Sequence, residues 1–152
     1  MKAFTKITLC LAAMLFAFAA HAKIDKSELI GQWVLTQTEK GINIISVYDF
    51  MDNDRMSQMV IMTGTSPKMT ISANGTCDYR VEDGSVIFKF SGSDFEFTTF
   101  EIEGIPEDYI ELAKQQIKSQ MVNVEQKMTN VKIKGNKLEA KVDGEKVTMT
   151  RK

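Results

Sequence analysis

Very few side chains of this chain are suited to nucleophilic or acid–base chemistry. The 152 residues contain one histidine, His21, and two cysteines, Cys10 and Cys77. His21 and Cys10 lie in an N-terminal segment that we expect to be cleaved, which leaves Cys77 alone. Without histidine, Ser-His-Asp and Cys-His pairs cannot form, and zinc and haem lack their usual ligand. We therefore expect no enzymatic activity, no metal site and no cofactor, with an enzyme that uses a carboxylate pair as the remaining catalytic alternative.

Two clusters contain atoms that could ligate a metal, but neither has a suitable arrangement. Thioether sulfur binds Cu(I), yet successive side chains of a strand point to opposite faces, which separates neighbouring methionines. Three aspartates at a turn lack the glycine and the spacing of an EF-hand loop. We interpret the methionines as adaptable apolar packing and the aspartates as surface turn residues. The clusters are Met51, Met56, Met59, Met62 and Met69, and Asp49, Asp52 and Asp54.

Residues 1–22 have the pattern of a secretory signal peptide. Two lysines form a basic start, an apolar run follows, and Ala20-His21-Ala22 is a small-x-small cleavage site. The apolar run is shorter than the roughly 20 residues that a membrane span needs. Leu9 before Cys10 does not suit lipidation of that cysteine. We expect a mature chain of residues 23–152 that is periplasmic or secreted and has no transmembrane segment.

Removal of this segment would leave a slightly acidic chain. It takes away two of the 19 basic residues and none of the 20 acidic residues, so the net charge becomes −3. A nucleic-acid-binding protein needs a basic surface to neutralise phosphates, and this balance argues against one. A single cysteine cannot form an internal disulfide, so the hydrophobic core must hold the fold.

The elements that would position any site are mostly short alternating strands. About ten such segments occur, separated by turn residues that are typical of antiparallel hairpins. A change of phase between Phe97 and Phe100 indicates a β-bulge near Thr98-Thr99. We predict a mainly β fold in which the meander closes into a barrel of about 8–10 strands, with a two-sheet sandwich as the alternative. The predicted hairpin turns are Asn74-Gly75, Asp83-Gly84, Gly135-Asn136 and Asp143-Gly144.

One amphipathic helix is predicted over Pro106–Met128, before the last three strands. Proline and two acids suit its first turn, and apolar residues recur at spacings of three and four. The helix could pack on the barrel wall as a structural element or lie across the open end as a lid. We expect the structural placement, because its apolar stripe is long and regular. The stripe is Ile110, Ala113, Ile117, Met121, Val124 and Met128.

The first and last predicted strands carry a resemblance to a known family. Gly31-Gln32-Trp33 resembles the Gly-x-Trp opening of lipocalins and related calycins, and Arg151 resembles the late arginine that covers this tryptophan. Thr70–Phe88 also resembles small secreted lipocalin-like domains of Bacteroidota-type bacteria. The resemblance implies that Gly31, Trp33 and Arg151 close the barrel, with cation–π packing of about 0.5–2 kcal/mol.

The resemblance also implies a binding protein without enzymatic activity. Its ligand would be a small apolar molecule held in or near the barrel. The inward apolar side chains could line a cavity, or they could fill the core as in many small barrels. In the second case the protein would be an interaction module, such as a periplasmic inhibitor or accessory protein, that uses its outer surface or its helix. The predicted ligand-binding residues are Leu35, Tyr48, Phe50, Tyr79, Phe88, Phe90 and Phe97.

Overall fold

Eight antiparallel strands close into a barrel in the computed structural model, which describes residues 24–152. The described chain has a ninth strand and two helices. The strands are β1 (Gly31–Glu39), β2 (Ile42–Phe50), β3 (Arg55–Thr65), β4 (Lys68–Glu82), β5 (Ser85–Phe88), β6 (Phe95–Ile102), β7 (Gln126–Lys134), β8 (Lys137–Val142) and β9 (Glu145–Arg151), and the helices are α1 (Lys26–Leu29) and α2 (Glu107–Met121). The predicted signal peptide, residues 1–22, lies outside the described residues.

The barrel closes through two pairings between strands that are distant in the sequence. β1 pairs with β9, and β7 pairs with β5 instead of with β6. β5 and β6 pair with successive parts of β4, so together they act as one strand that residues 89–94 interrupt. The predicted antiparallel barrel is confirmed, and the sandwich alternative is wrong. We call the end with α1 the lower end and the end with the β1–β2 and β3–β4 turns the upper end.

Inward-facing side chains form horizontal rows across β1, β2, β3, β4 and β6. Register and burial together identify these rows. The lower row is Trp33, Tyr48, Gln58, Gly75 and Phe95. The middle row is Leu35, Ser46, Val60, Ala73 and Phe97. The upper row is Gln37, Ile44, Met62, Ile71 and Phe100.

A β-bulge in β6 keeps its phenylalanines on the inward face. β4 pairs Ala73 with Phe97 and Ser72 with Thr99, so Thr98 is left without a partner in the register. Phe97 and Phe100 therefore both point inward although they are three residues apart, and their ring centroids lie 5.2 Å from each other. The predicted bulge near Thr98-Thr99 is confirmed.

The predicted hairpin at Asn74-Gly75 is wrong, because β4 continues without a turn from Lys68 to Glu82. Gly75 is required for close packing and not for a turn. A Cβ atom at this position would lie 2.6 Å from the Phe90 ring, so only glycine allows that ring to lie against the strand. The other predicted hairpins are confirmed at Asp83-Gly84, Gly135-Asn136 and Asp143-Gly144.

The predicted helix Pro106–Met128 is too long at its C-terminal end. α2 covers Glu107–Met121, and Asn123 then takes a left-handed backbone conformation with φ of 59°. Met128 belongs to β7, where it pairs with Val86 and is buried. At Met128, therefore, the pairing of β7 with β5 determines the structure, and not the helical spacing of the apolar residues. No residue of α2 is fully buried, and the helix packs mainly against β6, so its stripe is covered less than the sequence predicts.

Candidate functional site

A tryptophan and an arginine close the lower end of the barrel. Trp33 is fully buried, and its Nε1 donates a hydrogen bond to the carbonyl oxygen of Leu29 at 2.7 Å. The Arg151 guanidinium carbon lies 4.2 Å from the centre of the Trp33 ring system. The same guanidinium donates to the carbonyl oxygens of Glu28 and Ile30 at 2.6 and 2.7 Å. These contacts tie α1 to β9 and seal this end.

Gly31 permits the approach of Arg151 to this end. Its φ is 121°, and a Cβ atom there would lie 2.8 Å from Nη1 of Arg151. Any side chain at this position would strain the backbone and push the guanidinium away. The three residues that the resemblance assigns to barrel closure thus lie in contact at the lower end.

Tightly packed rings fill the lower half of the barrel, and we call them the floor. Neighbouring ring centroids lie between 5.1 and 6.4 Å apart, within the range of favourable aromatic pairs. Six of the predicted ligand-binding residues are buried, and Phe97 is half-buried. The floor consists of Tyr48, Phe50, Tyr79, Phe88, Phe90 and Phe95.

Five of the predicted ligand-binding residues therefore contact one another in the floor. Leu35 and Phe97 lie higher, in the middle row. A ligand that entered from the upper end would meet these two before it reached the floor. The ligand-binding role of all seven stays a prediction.

The only cysteine among the described residues is a buried thiol beside the floor. Cys77 is 4% exposed and has no disulfide partner. Burial raises the pKa of its thiol to about 11. The thiolate is the reactive form, so this side chain is suited to packing and not to nucleophilic chemistry.

Alkaline pH is expected to destabilise the protein through this thiol. In the unfolded chain Cys77 ionises near pH 9, whereas the folded chain keeps its proton until about pH 11. The folded state binds more protons in this window, so stability falls as pH rises, by up to about 1.4 kcal/mol per pH unit. Urea denaturation between pH 8 and 10, below the range in which the buried Tyr48 phenol also contributes, measures this slope. Cys77→Ala should flatten it, and an equal slope in this variant would contradict the assignment.

Above the floor, the inward apolar side chains are only partly covered. Ile71 is buried but does not belong to the contiguous lower core, which indicates a separate apolar region. Its neighbours in the middle and upper rows and at the rim are half-buried. We call this region the cup, and its residues are Ile44, Val60, Met62, Met69, Ile71, Phe97, Phe100 and Ile102.

Two openings adjoin the cup at the upper end. β1 and β9 pair only at Trp33 and Val34, so the wall parts above this point. The gap holds a depression of about 380 Å³, whose lining includes Gln37 and Ile44 of the upper row. A second depression of about 440 Å³ lies beside α2, where Ile110 meets Phe100 and Ile102. Both depressions therefore border residues of the cup.

Charged side chains around these openings are more often acidic than basic. Glu39 and Glu145 line the gap between β1 and β9 together with Lys146. Glu101 and Glu103 line the depression beside α2 together with Lys68. The excess of carboxylates disfavours the approach of anions.

Three polar side chains lie where the cup meets the floor, and we call them the polar triad. Ser46, Tyr48 and Gln58 are 6%, 7% and 8% exposed. Ser46 and Tyr48 are on the same face of β2, and Gln58 is opposite Tyr48 on β3. Burial raises the pKa of Tyr48 to about 12, so the phenol stays neutral and able to donate a hydrogen bond.

The methionine and aspartate clusters do not converge on a point. Met56 is buried in the core, Met59 is 40% exposed on the outer face of β3, and Met62 lies in the cup. Asp49 accepts a hydrogen bond from Gln32, and Asp54 pairs with Lys26. Among residues 24–152, no three His, Cys, Asp or Glu side chains are grouped as a metal site would need.

Most residues of the cup are not among the predicted ligand-binding residues. Ile44, Met62 and Ile71 lie in predicted strand segments, but the position of the region along the barrel depends on which strands pair. The available signal was the phase slip in β6, which places Phe100 and Ile102 inward.

Comparisons with known proteins leave the family open. No protein-family model matches the chain, and no curated protein matches it. In the part of the chain from residue 24 onward, no helix is long and apolar enough to cross a membrane.

Proposed function

We propose that this protein is an exported, lipocalin-like binding protein that holds a small apolar molecule in the cup, without enzymatic activity. The observation that carries this proposal is the contrast between the two halves of the barrel. The floor is packed ring against ring, whereas apolar side chains of the cup stay half-exposed beside two openings. Half-exposed apolar surface in a concave region is the usual setting of a ligand site.

Two further features support the lipocalin-like part of the proposal. The barrel is closed, antiparallel and eight-stranded. Trp33 and Arg151 stack at its closed end, in the arrangement that the sequence resemblance implies. The basic, apolar and small-residue pattern of residues 1–22 supports export to the periplasm or the medium.

A charge placed in the cup is expected to weaken binding without unfolding the protein. The neutral fluorescent dye N-phenyl-1-naphthylamine serves as the apolar probe. Met62→Asp should bind it at least about tenfold more weakly, because a carboxylate would face the apolar ligand. The stability loss should stay near 1–2 kcal/mol, because Met62 is only half-buried. Fluorescence titration and thermal melting measure the two quantities.

Met59→Asp is the matched control for this experiment. It places the same substitution on the same strand, but on the outer face, where Met59 is 40% exposed. Dye affinity should be unchanged in this variant. Equal weakening in both variants, or absence of dye binding in the unmodified protein, would contradict a ligand site in the cup.

An interaction module is the second candidate, and the outer side of α2 favours it. Tyr109 and Leu112 are 63% and 60% exposed, and Ile105 just before the helix is 42% exposed. Exposed apolar side chains that cluster in this way are typical of protein-binding surfaces. Native mass spectrometry of protein purified from its own host separates the candidates, because a retained small molecule adds a few hundred daltons and a partner adds a whole chain.

A further inference from the structure

The polar triad is an unusual feature in the interior of a barrel that is otherwise filled by apolar side chains. Ser46, Tyr48 and Gln58 are each more than nine-tenths buried and lie on adjacent strands. Buried polar groups are normally paired, because an unpaired one costs free energy. A polar group from a ligand would complete this cluster.

Gln58 is the member of the triad whose side chain is available for a further hydrogen bond. No hydrogen bond joins its carboxamide to another described residue, and none of its polar atoms is fully enclosed and unsatisfied. Its polar atoms are therefore not fully enclosed, and the alternation of β3 places the side chain on the inward face. Its cross-strand neighbour Gly75 has no side chain, and the Phe90 ring lies against that position, so the carboxamide borders the floor.

The surroundings of the triad carry no positive charge. The lower, middle and upper rows contain no charged residue. Asp143 at the β8–β9 turn acts on the Tyr48 phenol as a negative charge. At the rim, Lys114 is paired with Glu111 at 2.9 Å, and Lys68 and Lys146 line the two depressions, neither of which includes a residue of the triad. A carboxylate ligand would lose its hydration here without gaining a cation, which is strongly unfavourable.

Resting on the proposed function, we propose that the ligand is an uncharged molecule with one hydrogen-bonding head group, such as an alcohol, a ketone or an amide, and an apolar body. The head group lies at the polar triad, where Gln58 and Tyr48 bond to it. The apolar body extends upward through the cup, against Met62 and Phe100. The triad thereby selects against fatty-acid anions.

The test compares two competitors that share a chain length and differ in charge. 1-Decanol and decanoate, at pH 8, are titrated against the bound dye N-phenyl-1-naphthylamine. We expect 1-decanol to displace the dye at a concentration at least tenfold lower than decanoate. Equal or better displacement by decanoate would overturn the inference and leave the ligand site itself supported, whereas failure of the dye to bind would overturn the proposed function.

Substitutions at one inward and one outward glutamine locate the head group, with the dye affinity of each variant measured separately. Gln58→Leu should weaken 1-decanol about tenfold, because it removes the hydrogen bond at the triad. Gln32→Leu, on the exposed outer face of β1, is the control and should leave 1-decanol affinity unchanged. If Gln58→Leu fails to fold, Tyr48→Phe replaces it with the same expectation. Unchanged 1-decanol affinity in the folded variant would overturn the inference.

Discussion

Replacement of Trp33 by alanine is expected to lower the free energy of unfolding by about 3–5 kcal/mol, the range for removal of a large buried aromatic. The indole is fully buried, and its loss would also remove the hydrogen bond to Leu29 and the surface on which Arg151 stacks. Trp33 is the only tryptophan, so urea denaturation must be followed by circular dichroism and not by fluorescence. A loss below about 1 kcal/mol would show that Trp33 does not close the barrel.

Trp33→Phe is the matched control for this prediction. It keeps an aromatic ring under the Arg151 guanidinium but removes the donor to the Leu29 carbonyl oxygen. The expected loss is about 1–3 kcal/mol, the cost of leaving a buried acceptor unsatisfied. The difference between the two variants then measures the packing contribution of the ring.

Phe90→Ala is expected to cost about 3–5 kcal/mol as well, for a different reason. Phe90 is 1% exposed and packs between Phe88 and Phe95, with ring centroids 5.6 and 6.1 Å away. It lies in the break between β5 and β6, where its carbonyl oxygen accepts a hydrogen bond from Asn123. Thermal and urea unfolding measure the loss.

Two controls show whether the loss comes from the floor. Phe100→Ala removes a similar ring from the cup, where burial is partial, and should cost clearly less. Gly75→Ala in the Phe90→Ala background should be tolerated better than in the unmodified protein, because its methyl group would enter the space of the missing ring. A Phe90→Ala loss no larger than that of Phe100→Ala would contradict the distinction between floor and cup.

The barrel was predictable because its signals are local. Alternation along β1 and β2 places Trp33 and Phe50 on the inward face, and Asp-Gly pairs set two of the turns. The bulge at Thr98 could be predicted as well, because a one-residue shift in the alternation of inward and outward side chains can be seen within a single strand.

The remaining features depend on contacts between distant segments. Asn74-Gly75 has the composition of a turn, yet β3 and β6 pair with it on both sides, and the Phe90 ring, fifteen positions after Gly75, packs against it. Met128 continues the helical spacing of α2, but β7 pairs with β5 and takes it into the sheet. The cup likewise depends on distant contacts, because its residues come from β2, β3, β4 and β6 and meet only through strand pairing.

The barrel has two parts with different roles, the floor below and the cup above. The short pairing between β1 and β9 and the break after β5 together separate them. The contiguous core that contains the floor includes almost all of the fully buried apolar side chains and hence supplies most of the hydrophobic stabilisation, whereas those of the cup are mostly half-exposed and supply less. Substitutions in the cup can therefore accumulate in evolution with small effects on stability. On the proposed function, descendants of one ancestral barrel can change their ligand while they keep the same closed base.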